Sequence, residues 1–301
     1  MNYKLVFIIL LTIILLTIIL LLFIKKNNEY FKNNEESLIC NHYKFKSDEE
    51  FEKRTIEYNK DGYMKQKLSD KMNDNWKEKA NSKNNTKITK YIPELKINMR
   101  KPLKAQMKKK YDISIVVMFR FEDDYLDEWL HYYIMHGVTH FFMYSNENTS
   151  KTLKILQPYI DKGYVTLIEW NNDVINNISE NKRRNKWSNY NKISTQNLAF
   201  IDFVKNHKHK TKWILKVDVD EFIYPTNTKL KIKDLLEKTS KKYFSVPRID
   251  FGNNNHIKKP KGLILENYTK SENNTSHHKS IALTQYISNN DNGGAHHFKM
   301  I

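Results

Sequence analysis

The sequence predicts an α/β fold built on a mostly parallel sheet. From residue 113 onward, short apolar runs alternate with segments whose apolar residues recur at helical spacing. The runs are rich in β-branched and aromatic residues and have the length of buried strands. Strands that alternate with helices form parallel sheets with right-handed crossovers. A hydrophobic share of 40% in 301 residues is enough to bury the core of such a domain.

The first predicted unit is a strand over residues 113–119 followed by a helix. Asp124 is the predicted N-cap of this helix, with Asp127 at N3, and Gly137 follows the helix end. Between them, the apolar side chains at positions 126, 129, 130, 133 and 134 share one helical face. Trp129 lies on that face, so we predict that it is a core residue and does not stack on a ligand.

Further strands and helices follow up to residue 217. Ser194 is the predicted start of the helix that precedes the last strand. The segment between residues 169 and 192 is rich in Asn and Arg, and we expect a loop there. The predicted elements are a strand at 140–144, a helix at 152–159, a strand at 164–168, a helix from 194 and a strand at 213–217.

Acidic residues follow the predicted strand at 213–217. Asp218 and Asp220 are two positions apart, and Glu221 comes next. Mg²⁺ and Mn²⁺ prefer carboxylate and phosphate oxygens, so the cluster predicts a divalent cation site at the end of a strand. An EF-hand is excluded, because Phe222 and Ile223 stand where its loop needs an oxygen ligand and a glycine. An ordinary polar turn is the alternative interpretation.

Polar residues also follow the two earlier strands. Arg120 and Glu122 come after the first strand, and Ser145 and Asn146 come after the second. Ligands of parallel sheets bind beyond the carboxyl ends of the strands, so three strand ends converge on one predicted crevice. The chain has seven glycines and no Gly-rich phosphate loop of the Walker or dinucleotide type. A diphosphate ligand would then take its positive charge from a divalent cation.

The amino-terminal part of the sequence predicts a membrane anchor and a stem. After a tail of residues 1–4, residues 5–24 are apolar except for two threonines, a length that spans a bilayer as a helix. No small-residue cleavage site follows, so we expect the anchor to stay uncleaved. Lysines flank both ends, so charge does not fix the orientation. Residues 25–110 predict a stem or linker, in which the single cysteine, Cys40, is a free thiol or links two stems.

The formal net charge of +17 does not by itself identify a partner. Strongly basic chains bind nucleic acids, membrane surfaces or anionic substrates. Here the lysines are scattered among Asn and Ile residues, and no zinc-finger spacing or aromatic RNA-binding signature accompanies them. The sequence therefore predicts no nucleic-acid partner.

Two blocks of the sequence carry a family resemblance. The first contains Glu128-Trp129, Tyr132-Tyr133 and the run from His136 to Asn146, with the order Gly-Val-x-His-Phe inside it. The second runs from residue 213 to 225 and contains Asp-x-Asp-Glu-Phe. Gln196 and the residues at 246–247, 251–252, 279–281 and 296–298 fall in the matching order. Together they resemble glycosyltransferase family 92, formerly a domain of unknown function, and its relatives in family 2.

The resemblance covers residues 112–300 and implies both a fold and an activity. The implied fold is GT-A, a Rossmann-like arrangement, over residues 111–301. The implied activity is an inverting, metal-dependent transfer of a hexose from a nucleotide sugar to a glycan or glycoprotein acceptor. The implied cofactor is Mn²⁺ or Mg²⁺. With the predicted anchor, the family implies a single-pass type II membrane protein with its catalytic domain in the lumen of an ER- or Golgi-like compartment.

The resemblance also implies roles for individual residues. Asp220 would bind the metal, and Asp218 would serve both the metal and the ribose of the donor. His296 or His297 would add a late metal ligand, unless the pair is an exposed polar tail. The other implied donor-binding residues are Arg120, Glu122, Asn146 and Gln196.

An inverting enzyme needs a carboxylate base to take the proton of the acceptor hydroxyl. Asp250 is the candidate for this base, and Glu266 is its rival. Other functions stay open beside the transferase. These are an inactive sugar-binding relative, another metal-dependent nucleotidyl or phosphoryl transferase, and a membrane-tethered nucleic-acid binder.

Overall fold

A mixed eight-stranded sheet lies at the centre of the described chain. The computed structural model describes residues 37–43, 46–60, 74–106, 110–146, 149–171, 174, 194–273, 277–289, 291, 294 and 296–301. The strands are β1 (Leu38–His42), β2 (Lys83–Asn84), β3 (Tyr111–Phe119), β4 (His140–Ser145), β5 (Val165–Glu169), β6 (Thr211–Lys216), β7 (Glu221–Pro225), β8 (Tyr243–Asp250), β9 (Lys270–Ser271) and β10 (His277–Leu283). In the large sheet they follow the order β5-β4-β3-β6-β10-β8-β1-β7, and β2 pairs separately with β9.

Helices connect these strands and border the sheet. They are α1 (Asp48–Lys60), α2 (Asp74–Ala80), α3 (Ile92–Met99), α4 (Asp123–Met135), α5 (Ser150–Asp161), α6 (Thr195–Asn206), α7 (Ile232–Lys238) and α8 (Ile264–Asn267). Short 3₁₀ turns lie at Lys87–Tyr91, Lys208–Lys210 and Thr284–Tyr286.

The strands β5, β4, β3 and β6 pair in parallel and form one half of the sheet, here called the parallel half. Their order and their connecting helices agree with the predicted α/β alternation. Alternate residues of β3 face opposite sides: Ile115 and Val117 join a core with α4, and Val116 joins a second core with α6. This alternation is the period of two expected of a strand that is buried on both faces. The predicted α/β fold, Rossmann-like in this half, is therefore confirmed.

The strands β10, β8, β1 and β7 form the other half, here called the mixed half. β10 runs antiparallel to both β6 and β8, and β7 runs antiparallel to β1. Only β8 and β1 are parallel within this half. The sheet is thus parallel on one side and mixed on the other, a division that the local sequence pattern did not predict.

The prediction of a stem over residues 25–110 is wrong for much of the segment that the structure describes. β1 lies inside the sheet, with Cys40 opposite Arg248 on one side and Ile223 on the other. Cys40 is fully buried as a free thiol, so its predicted linkage between two stems is also wrong. Leu38–Ile301 forms one compact unit. A five-residue strand whose partners are distant in the chain leaves no periodic signal in the sequence, which explains the error.

The ends of the predicted helices are partly corrected. The Ser194 hydroxyl caps α6 by accepting from the Asn197 backbone N–H, as predicted. Gly137 follows α4 at φ 93°, also as predicted. However, α4 begins at Asp123, with Glu122 at the N-cap position and no capping side chain. The Glu122 side chain instead pairs with Lys46 and Arg54.

No helix within the described ranges has the length and apolar character needed to cross a membrane. The predicted anchor at residues 5–24 lies outside those ranges.

Candidate active site

A cavity of about 310 Å³ opens beyond the carboxyl ends of β3 and β6. This is the position at which open parallel sheets bind their ligands. The cavity brings together four of the predicted donor-site residues and Asp220. Its lining consists of His42, Met118, Phe119, Val219 and the polar residues Arg54, Arg120, Glu122, Gln196, Asp218, Asp220 and Arg248.

Helix α4 holds the acidic turn between β6 and β7 in place. The indole N–H of Trp129 donates to the backbone carbonyls of Asp218 and Glu221, both at 3.0 Å. The Tyr133 hydroxyl donates to the Glu221 carbonyl and accepts from the Ile223 N–H. Trp129 is fully buried, so its predicted place in the core is confirmed. It also fixes the backbone of the turn, a role that the apolar pattern did not reveal.

Asp218 and Glu221 share a buried lysine. The Lys279 ammonium lies 2.7 Å from a carboxylate oxygen of each. The Gln196 amide donates to the other oxygen of Asp218 at 3.0 Å, and the Asp218 N–H donates to Glu221 at 2.9 Å. Burial raises the pKa of Glu221, against the attraction of Lys279. The two carboxylates raise the pKa of Lys279 despite its burial, so Lys279 is a fixed positive charge beside the turn.

Asp220 is buried and lies among cations. Its Oδ2 is 3.6 Å from Arg54 Nη1 and 3.7 Å from His42 Nε2. Burial alone would raise its pKa, but His42, Arg54, Lys46 and Lys279 together lower that pKa below the usual range of an aspartate. Asp220 is therefore ionised at neutral pH and presents a negative charge at the cavity wall.

Glu122 lines the cavity, yet both of its oxygens have protein partners. Oε2 is 3.1 Å from Lys46 and Oε1 is 3.0 Å from Arg54. The neighbouring Arg120 guanidinium packs 4.5 Å from the centre of the Phe121 ring. Phe121 has φ 58°, the left-handed region that a bulky residue rarely adopts. This strained turn carries Arg120 and Glu122 to the mouth of the cavity.

Asp250 lies behind His42. Its Oδ1 is 2.7 Å from His42 Nδ1 and 3.1 Å from Arg248 Nε. His42 and Arg248 line the cavity, whereas Asp250 is outside its lining. Glu266, the rival base, pairs with Lys96 and accepts from the Leu263 backbone N–H. Neither Glu266 nor these two partners line the cavity, whereas both partners of Asp250 do, so the geometry favours Asp250.

Besides Asp250, three predicted site residues do not line the cavity. The Asn146 side chain donates to the Trp170 carbonyl at 2.8 Å and so connects the ends of β4 and β5. His297 is exposed, and its Nδ1 lies 3.1 Å from the Tyr243 hydroxyl. His296 is half-buried, and burial with the nearby Lys279 lowers its pKa to about 4.

The tail that carries His296 and His297 is held by Lys216, the last residue of β6. Its ammonium donates to the Gly294 and His297 carbonyls at 2.8 and 2.9 Å, between the rings of Phe200 and Phe298. Burial lowers the pKa of Lys216 to about 7. His296 Nδ1 is buried without a hydrogen-bond partner. That nitrogen suits a ligand near Asp218, with which it interacts electrostatically.

Within the described ranges, no group of three His, Cys, Asp or Glu side chains is placed to hold a metal ion. A cation at Asp218 and Asp220 would need further oxygen ligands from a bound molecule. Mg²⁺ commonly uses one or two protein carboxylates together with substrate phosphates. The side chain of Asp218, 31% exposed, is open to such a ligand. The acidic turn thus fits a metal that binds together with a phosphorylated ligand.

The negative and positive side chains around the cavity largely balance one another in charge. Each of its carboxylates forms an ion pair with a lysine or arginine. The carboxylates are Glu122, Asp218, Asp220, Glu221 and Asp250, and their partners are Lys46, Arg54, Arg248 and Lys279. An incoming diphosphate would therefore meet a site without a large excess of positive charge.

Sequence reasoning missed the partners contributed by the amino-terminal segment. His42 ends β1, Lys46 precedes α1, and Arg54 lies within α1. Their segment was expected to be a stem, and nothing in its local pattern indicated a site. Arg248 and Lys279 lie on β8 and β10 and were likewise not assigned a role.

The chain was compared with known proteins. The model of the family "Glycosyltransferase family 92" matches residues 109–298. A glycosyltransferase family 92 protein of Arabidopsis thaliana is 25% identical over 202 residues. That similarity covers 64% of this chain and 32% of the plant protein, so the chain matches about a third of its relative's length.

Proposed function

Because the chain belongs to glycosyltransferase family 92, we propose that it transfers a sugar from a nucleotide sugar to a glycan or glycoprotein acceptor. The observation that carries the proposal is the cavity at the carboxyl edge of the sheet, lined by Asp218, Asp220 and Gln196 beside Arg120 and Arg54. Carboxylates, an amide and guanidinium groups are suited to hydroxyl, metal and phosphate groups of such a donor. The mixed sheet, parallel on the side of β3 and β6, supports a fold of the GT-A type.

We propose that turnover needs Mn²⁺ or Mg²⁺ held by Asp218 and Asp220. The charge balance of the site supports this, because its described lysines and arginines already pair with its carboxylates. A diphosphate would add negative charge, which a bound cation would balance. When bound, the cation would supply positive charge to the diphosphate leaving group. Asp220 contributes an ionised carboxylate at neutral pH. Gln196 and Lys279 orient Asp218 through both of its oxygens.

The acceptor hydroxyl has to lose its proton during transfer with inversion. We propose Asp250 as the carboxylate that drives this step. Asp250 contacts the cavity-lining His42, whose ring lies between Asp250 and Asp220. Arg248 Nε lies 3.1 Å from the same oxygen of Asp250 and places a positive charge beside it.

We further propose that residues 5–24 anchor the protein as a single-pass membrane protein of type II, with its catalytic part in the lumen of an ER- or Golgi-like compartment. The length and composition of this segment support an anchor. Carbonate extraction of the tagged full-length protein should leave it in the membrane pellet. Recovery of a soluble form that lacks the first residues would contradict the anchor.

A turnover screen tests the proposed activity. The full-length chain in detergent is incubated with a panel of nucleotide sugars, with and without Mn²⁺, and the release of nucleoside diphosphate is measured. We expect release from one donor class, stimulated by Mn²⁺, and abolished by excess EDTA. Turnover of nucleoside triphosphates would favour a nucleotidyl or phosphoryl transferase. Sugar binding without turnover of any donor would favour an inactive relative.

A further inference from the structure

Arg54 belongs to the cavity but not to the segment matched by the family model. It lies in α1, whereas the matched segment begins at residue 109. Its guanidinium forms part of the cavity wall together with Arg120 and Asp220. The site is therefore completed by a part of the chain that neither the comparisons nor the sequence pattern assigned to it.

The position of Arg54 is fixed from two sides. Nη2 lies 3.0 Å from Glu122 Oε1, a direct ion pair. Nη1 lies 3.6 Å from Asp220 Oδ2, beyond hydrogen-bonding distance. Glu122 is itself held by Lys46 at 3.1 Å. The guanidinium is thus anchored at one edge, and its other edge points towards the acidic turn.

The exposure of the cations distinguishes Arg54 from its neighbours. Its side chain is 32% exposed, against 6% for Lys46, 10% for Arg248 and 1% for Lys279. Lys279 is engaged at 2.7 Å with both Asp218 and Glu221. Lys46 lies under Glu122, with its ammonium 3.5 Å from the centre of the Tyr125 ring. Of these four cations, Arg54 has the most exposed side chain, and it lines the cavity where a ligand would bind.

An arginine so placed suits a phosphorylated ligand. Its planar fork offers several N–H donors, which match phosphate oxygens in a bidentate manner. Resting on our proposed function, we propose that Arg54 binds the diphosphate group of the donor. Glu122 then acts as a positioning residue, because it orients the guanidinium and does not itself contact the nucleotide. Lys46 acts as a positioning residue for Glu122 in the same way.

Binding measurements test this proposal without a known donor sugar. The full-length chain in detergent is titrated calorimetrically with inorganic pyrophosphate and with UDP, GDP and CDP, in the presence of Mn²⁺. Arg54→Gln should weaken pyrophosphate binding by about 10- to 100-fold, the range for loss of a charge-assisted hydrogen-bond pair. Arg54→Lys keeps the charge but loses the fork, and should weaken binding by a smaller factor. Arg100→Gln, an exposed arginine outside the cavity, should leave binding unchanged.

The outcomes separate Arg54 from the function as a whole. A parent protein that binds neither pyrophosphate nor any of the nucleoside diphosphates would overturn both proposals. Equal affinity of the parent, Arg54→Gln and Arg54→Lys would overturn the role of Arg54 and leave the proposed function standing. Melting temperatures identify a variant that fails to fold. If Arg54→Gln fails to fold, the pyrophosphate affinity of Arg54→Lys tests the proposal. If neither variant folds, Arg54 is structural and the proposal fails.

Discussion

The two halves of the sheet contribute to the cavity in different ways. In the parallel half, one helix joins β3 to β4 and one helix joins β4 to β5, and these paired strands are close in the sequence. In the mixed half, β1 pairs with β8 although Cys40 and Arg248 are far apart in the chain. The turn that follows β6 of the parallel half carries Asp218 and Asp220, whereas their ionic partners Lys279 and Arg54 lie on β10 of the mixed half and on α1. The side chains of a recognisable motif can therefore depend on partners from strands that no local pattern predicts.

The largest expected effect comes from removing the amino-terminal strand. A fragment of residues 109–301 keeps the family-matched segment but lacks β1, and so leaves a gap between β8 and β7. It also loses the buried side chains of Leu38, Cys40 and Tyr43 from the core. We expect this fragment to show no cooperative thermal transition by circular dichroism. The matched fragment of residues 37–301 should unfold cooperatively, and equal behaviour of the two would show that the halves are independent.

The parallel half was predictable because its signals are local. Apolar runs and helical stripes gave its strands and helices to within a few residues, and Ser194 and Gly137 marked helix ends correctly. The mixed half was not predictable, because its pairings depend on contacts across the whole chain. β1 is a short strand that contains Asn41 and His42, and its sequence resembles its polar surroundings.

The candidate site shows the same limit. Asp218 and Asp220 follow a recognisable strand, and the family resemblance indicated Gln196; all three line the cavity. Asn146 was predicted to bind the donor, but its side chain donates to the Trp170 carbonyl instead. The sequence at the end of a strand does not reveal which way a side chain points. The absence of a Gly-rich loop predicts that a divalent cation offsets the charge of a diphosphate. Arg54 and Lys279 add positive charge that the sequence does not reveal, because their positions depend on tertiary structure.

The next largest effect is expected at the acidic turn. Asp220→Asn keeps the shape of the side chain but removes a charge that His42 and Arg54 stabilise. We expect donor turnover to fall about 100-fold or more, a loss of about 3 kcal/mol of transition-state stabilisation. Asp218→Asn should weaken nucleotide binding as well, because Asp218 is more exposed to the ligand.

Asp112→Asn is the matched control for Asp220→Asn. Asp112 is an exposed carboxylate near the start of β3, at the end of the strand away from the cavity. Its substitution should leave turnover unchanged. Folding of each variant is checked by its melting temperature. Near-normal turnover in Asp220→Asn, or full activity of the parent protein in excess EDTA, would remove the metal from the proposed mechanism.

A smaller effect should follow from loosening the contact between α4 and the acidic turn. Trp129→Phe keeps an aromatic ring in the core but removes the N–H that serves the Asp218 and Glu221 carbonyls. Two buried acceptors lose a donor, so we expect a loss of about 2 kcal/mol in the free energy of unfolding. Turnover per folded molecule should also fall, because the turn is less firmly held. Trp129→Ala should cost about 3–5 kcal/mol through the cavity it creates. Full turnover in well-folded Trp129→Phe would limit Trp129 to a packing role.

The smallest expected effect is a change in the pH dependence of stability, and it distinguishes a histidine of the parallel half from one of the mixed half. His140 in the parallel half lies 3.0 Å from the Gly163 carbonyl and 2.8 Å from the Thr166 hydroxyl, both neutral groups. His42 in the mixed half lies between the carboxylates of Asp220 and Asp250. Burial lowers the pKa of His140 to about 4, although its bond to Gly163 opposes the shift. An added proton on His140 therefore has no counter-charge among these partners.

The sign of the pH effect follows from that lowered pKa. An unfolded histidine titrates at about 6.5, so between that pH and about 4 the unfolded chain binds a proton that folded His140 does not. This contribution to stability is present above pH 6.5 and is lost as pH falls towards 4. His140→Gln can still donate to Gly163 but does not titrate. We expect it to reduce the difference in unfolding free energy between pH 7 and pH 5 by about 1–2 kcal/mol. Denaturant unfolding at both pH values measures this, and an unchanged pH dependence in His140→Gln would contradict the lowered pKa of His140.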